Sequence, residues 1–137
     1  MNKVADRIKR YRELKADIVD IDIRIQELEE EMIGISAPPS GERTSSTYKI
    51  TSTVEIQAER YLERKEKLLE EKVRKEREIK RIDNAMTVLK EEEKDIIEIA
   101  LIEGKKYSLL EIKYNRTYGR IKQIEGDALR KMKKYLS

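Results

Sequence analysis

Residues 108–132 read SLLEIKYNRTYGRIKQIEGDALRKM. Leu109, Leu110 and Ile112 open the stretch, Asn115 and Arg116 break it, and Ile121, Ile124, Ala128, Leu129 and Met132 then recur at intervals of three and four. That spacing puts one apolar stripe on a helix. It predicts a final α-helix capped by Thr117, whose hydroxyl can accept a free backbone N–H. Ser108 with Glu111 three residues on has the capping-box pattern and predicts a short helix running to about Tyr114. Tyr118, Lys122 and Gln123 fall off the stripe and face outward near the start of the final helix. Short helix, tight turn and basic helix are the plan of a helix-turn-helix.

Working outward, Ile96, Ile97, Ile99, Ala100 and Leu101 make a broad apolar face between Lys90 and Glu103. Gly104 follows, suited to a left-handed helix stop. Glu91, Glu92 and Glu93 read as a solvated first turn, favoured by the helix dipole. From Gly104 onward there are ten basic residues against three acidic, a balance of +7, while the first 103 residues carry 21 basic and 25 acidic, a balance of −4. A basic end of this kind suits a polyanion. The opening turn of the final helix can enter the major groove, where Lys122 and Gln123 hydrogen-bond base edges. Arg116, Arg120, Arg130, Lys131, Lys133 and Lys134 are placed to meet phosphates. Tyr118 is a further candidate contact.

Upstream the pattern changes. Tyr11, Leu14, Ile18, Ile21, Ile25, Leu28, Met32 and Ile35 form a heptad seam, which predicts one helix of roughly 34 residues. Gly34, Pro38, Pro39 and Gly41, with the Ser/Thr-rich run to Thr53, mark a connection over about 35–53. Ser52 and Glu55 form a capping box that predicts the start of a second helix. Its seam runs through Val54, Ala58, Tyr61, Leu68, Ile79, Ile82, Met86 and Leu89, with Lys65, Lys72 and Lys75 where apolar groups belong. Equal lengths predict antiparallel pairing, within one chain or between two. The expected architecture is therefore all-α: a long coiled-coil helical hairpin over 1–89, then a helix-turn-helix domain over 90–137.

Composition excludes several functions. No Cys or His is present, which removes thiol nucleophiles, imidazole metal sites and Ser-His-Asp triads. Charged residues make up 43% and aromatics 5%, too few apolar groups for a thick core. No catalytic constellation and no cofactor or metal site is expected, and no apolar run is long enough for a membrane span or signal peptide. The expected location is the cytoplasm.

The run Arg120-Ile-Lys-Gln-Ile-Glu125, followed by Ala128-Leu-Arg-Lys-Met132, is similar to the recognition-helix signature of region four of sigma-70 type factors, Arg-Val-Arg-Gln-Ile-Glu then Ala-Leu-Arg-Lys-Leu. The similarity covers about the last 50 residues. Tyr118 and Gly119 stand where that signature has Arg and Glu, so the resemblance implies a DNA-facing role for Thr117, Arg120, Lys122 and Gln123 only. The whole layout resembles phage late-gene transcriptional regulators of the ArpU and RinA type. This implies a sequence-specific regulator of phage or prophage origin that binds double-stranded DNA, dimerises through the coiled coil or contacts RNA polymerase with it. Two other readings are a phage terminase small subunit and a structural coiled-coil adaptor.

Overall fold

A computed structural model describes residues 3–36 and 47–136, and all regular structure among them is helical. The order is α1 (Lys3–Lys9), α2 (Tyr11–Ser36), α3 (Thr47–Met86), α4 (Glu91–Ile97), a π-helical turn (Glu98–Ile102), α5 (Tyr107–Tyr114) and α6 (Tyr118–Leu136). The chain divides into two compact units, one of residues 17–74 and one of the described residues up to Ala16 and from Lys75 on.

The unit of residues 17–74 is an antiparallel helical hairpin. Ile21 is buried, and Ile18, Ile25, Leu28 and Met32 are half-buried, as are Val54, Ala58, Tyr61 and Leu68 on α3. The expected heptad positions thus face inward, while Val19 and Ile23 remain exposed. Two lysines in the α3 seam reach acidic residues of α2: Lys72 lies 2.6 Å from Asp22 and Lys65 lies 3.2 Å from Glu29. Moving up one helix while moving down the other, these pairs show that the hairpin closes within one chain.

Boundaries differ from expectation in three places. α2 runs through Gly34 to Ser36, absorbing a glycine penalty of about 1 kcal/mol. α3 begins at Thr47, so Ser52 and Glu55 lie inside the helix; short hydroxyl side chains compete with the backbone ladder but do not forbid it. Pro38, Pro39 and Gly41 lie outside the described residues. The predicted single first helix is divided by a turn at Arg10, whose N–H bonds to the Arg7 carbonyl at 3.2 Å.

The other unit packs α1 against α6. α1 buries Val4, Ala5 and Ile8 with Ile82, Ala85 and Met86 of α3, Ile97 and Leu101, and the second half of α6 through Ala128, Leu129, Met132 and Leu136. Arg7 of α1 clamps this core: its Nε and Nη2 donate to the Glu78 carboxylate at 2.7 Å each, and Nη1 donates to the Leu136 carbonyl. Hydrogen bonding to Arg7 holds the Glu78 carboxyl below its ordinary pKa, outweighing its partial burial. A second cluster joins Ile96 and Ala100 to Leu110, Ile121 and Ile124. The two halves of α6 therefore serve different cores.

Candidate nucleic-acid interface

Backbone chemistry sets the turn between α5 and α6. Asn115 ends α5 in the left-handed conformation, φ 51°, which asparagine tolerates better than other side-chain-bearing residues. Arg116 N–H then returns to the Glu111 carbonyl at 3.2 Å. Thr117 Oγ1 accepts the Arg120 N–H at 3.2 Å, so the expected cap is made. Gly104, φ +66°, occupies the left-handed stop after the π-helical turn. The Ser108 capping box is not the start of α5: Lys106 holds the cap position and Tyr107 is the first helical residue. Extended backbone at Lys106 begins the helix two residues earlier than the hydroxyl pattern indicates.

Burial of Ile121 and Ile124 against α4 and α5 fixes the rotation of α6. On its other side Gly119, Arg120, Lys122 and Gln123 are exposed, and Tyr118 is 52% exposed. Arg120 Nη1 donates to Gln123 Oε1 at 3.0 Å, tying two candidate side chains together one turn apart. Gly119 and Gly126 lie beside them, and a Cβ at either would meet nothing within 4 Å.

Six of the candidates fall along two flanks of α6. On the α4 side Arg116, Arg120, Arg130 and Lys131 line one groove with Glu92 and Glu93. Arg116 Nε lies 3.2 Å from Glu92 Oε1, Lys131 Nζ lies 2.9 Å from Glu93 Oε1, and Arg130 pairs with Asp127 at 2.5 Å. The triple glutamate is therefore not a solvated turn. Only Glu91 is exposed, because a helix rotates consecutive side chains by about 100° and turns Glu92 and Glu93 toward the groove. Burial would raise the Glu93 carboxyl, but its bonds to Lys131 and to the Lys90 backbone N–H hold it low.

On the α5 side Tyr118 meets Tyr107 edge to face, with ring centroids 5.4 Å apart. Lys122 faces Tyr107 and Glu125. Burial alone would lower the Lys122 ammonium pKa; hydrogen bonds to Glu125 and Tyr107 outweigh it and raise the value. The Tyr107 phenol is raised by burial and by the Glu125 carboxylate. Sequence periodicity did not single out Tyr107 or Glu125. A usable signal was present for Glu125, which sits three residues after Lys122 and next to the buried Ile124.

Residues 85–134 match the sigma-70, region 4 family. Sigma-70 region 4 is a DNA-binding helix-turn-helix, and the match runs from the end of α3 through most of α6. It leaves the hairpin of residues 17–74 outside. No curated protein and no solved structure matches the chain. Among the described residues no cluster of three or more acidic side chains could hold a metal ion, and no helix is long and apolar enough to cross a membrane.

Proposed function

We propose that the chain is a sequence-specific transcriptional regulator that reads duplex DNA with the opening turns of α6. The observation that carries this reading is the region 4 match, because it falls on the segment whose exposed helix start presents Arg120, Lys122 and Gln123 over a buried Ile121–Ile124 footing. Thr117 caps the helix, Lys122 and Gln123 meet base edges, and Arg116, Arg130 and Lys131 meet phosphates. Tyr118 contacts the backbone or a base from the α5 flank.

The helical hairpin ahead of this module favours a phage-type late-gene regulator of the ArpU and RinA kind, acting in the cytoplasm as a homodimer and contacting RNA polymerase. Because the hairpin seam is closed within the chain, self-association of the coiled coil would use its outer apolar residues, such as Val19, Ile23, Leu62 and Leu69, all of them exposed.

Selection from random duplexes tests the DNA-reading role. The wild type should enrich a defined sequence. Lys122→Ala with Gln123→Ala should lose roughly 1–3 kcal/mol of base discrimination per contact removed. It should retain salt-dependent binding through the remaining cations. Identical preferences in the two proteins would count against base reading by this helix.

A further inference from the structure

Tyr107 opens α5, and Glu125 lies one turn beyond Lys122 on α6. The Tyr107 hydroxyl donates to the Glu125 carboxylate, 2.9 Å from one oxygen and 3.1 Å from the other. Lys122 Nζ donates to the same hydroxyl at 3.3 Å and stands 3.2 Å from Glu125 Oε2. It also lies 4.9 Å from the centroid of the Tyr107 ring. Three groups from two helices close a triangle.

Exposure within the triangle is uneven: the Glu125 side chain is 5% exposed and that of Lys122 44%. A carboxylate removed from water must be hydrogen-bonded and paired. Glu125 is thus an anchor that cannot be left without its partners at low cost. An unrestrained lysine distributes its charge over many rotamers. Lys122 is confined instead. An ammonium has three N–H donors; with one directed to Glu125 and one to Tyr107, a single donor is left for an acceptor outside the protein. Tyr118, packed edge-on against the Tyr107 ring, braces the tyrosine from the start of α6.

We propose that Tyr107 and Glu125 are positioning residues that hold the Lys122 ammonium at one place beside α5, so that it meets one acceptor register on DNA. This rests on the DNA-reading role assigned above to α6. Lys122 is then a pre-set reader, whereas the cations of the α4-side groove supply affinity. The triangle differs from an ordinary surface ion pair because its acidic corner is buried and its tyrosine corner belongs to another helix.

Tyr107→Phe keeps the ring and removes only the hydroxyl, and it is compared with wild type in the Lys122 and Lys122→Ala backgrounds. Binding is measured on the wild-type-selected duplex and on random duplex, with thermal unfolding followed in parallel. In the Lys122 background, Tyr107→Phe should reduce discrimination roughly three- to tenfold, the effect of one hydrogen bond, with random-duplex affinity and its salt slope unchanged. In the Lys122→Ala background it should change discrimination no further. The 15N-detected ammonium signal of Lys122, distinct in the wild-type protein without DNA, should average toward that of free lysines in Tyr107→Phe. Unchanged discrimination in Tyr107→Phe, or an equal loss in both backgrounds, overturns the positioning role while leaving base reading intact. A wild-type protein that selects no sequence overturns the DNA-reading role itself, and the positioning role falls with it.

Discussion

The two compact units solve the same problem, stabilising helices in a chain rich in charge, by opposite means. Among the described residues of the 17–74 hairpin only Ile21 is a buried apolar side chain, and two lysines stand in the seam. The other unit buries a double core in which Ile8, Ile82, Ile96, Ile97, Leu110, Ile121 and Met132 are fully enclosed. A thin seam tolerates charge because each lysine keeps its head in water while its stem covers apolar surface. A closed core does not, and its buried carboxylates, Glu93 and Glu125, each have a cation and further hydrogen bonds. The unit that carries the candidate interface is the one that can hold side chains still.

The largest effect expected from this contrast is on core truncation. Met132→Ala removes a fully buried side chain from the cluster shared by α1, α3 and α6 and should cost about 2–5 kcal/mol. Leu68→Ala in the half-buried hairpin seam should cost roughly 1 kcal/mol, since much of that side chain is already in water. Denaturant unfolding of each variant against wild type gives both values. Equal losses would erase the distinction between dense and thin units.

Much of this division was legible in the residues themselves. The heptads Ile18, Ile21, Ile25 and Leu28 and the stripe Ile121, Ile124, Ala128 and Met132 are periodic, and period alone decides which side of a helix faces inward. The outward set on α6 followed from the same period. What was not legible depends on contacts distant in sequence. Arg7 falls one heptad before Leu14, where a seam takes an apolar side chain, yet it pairs with Glu78, 71 residues away, and draws α1 into the C-terminal core. Glu92 and Glu93 look like solvent-facing charges until α6 is set beside α4. The Ser52 and Ser108 capping boxes are local patterns, and the helices begin earlier, at Thr47 and Tyr107. The Tyr107–Glu125–Lys122 triangle joins two helices across the turn, so no single-helix pattern contains it.

Glycine on α6 sharpens the comparison at an intermediate magnitude. Gly126 is mid-helix, where glycine is about 1 kcal/mol worse than alanine. No close neighbour within the unit requires it, because an added Cβ would touch nothing within 4 Å. Gly126→Ala should therefore raise the stability of the dense unit by about 1 kcal/mol in thermal or denaturant unfolding. A neutral or destabilising result would mean that this face of α6 is more crowded than its geometry shows, and the open exposure on which the groove reading depends would be lost with it.

The smallest effect is expected in the hairpin, at Lys65 and Lys72. Their side chains are 33% and 27% exposed, and their acidic partners Glu29 and Asp22 are 47% and 51% exposed. Ion pairs this wet contribute little, with solvent screening and side-chain entropy offsetting most of the attraction. Replacing either lysine with Met keeps an unbranched stem over the seam and fills an apolar heptad position. Loss of the pair and gain of apolar burial should then nearly cancel. Lys72→Met is predicted to shift stability by less than about 1 kcal/mol in either direction, with reduced dependence on salt. A loss well beyond that, restored by a reciprocal charge swap at Asp22 and Lys72, would show that the hairpin is held by its charges. In that case the thin seam would be an electrostatic zipper, and its contrast with the apolar double core would be one of kind rather than degree.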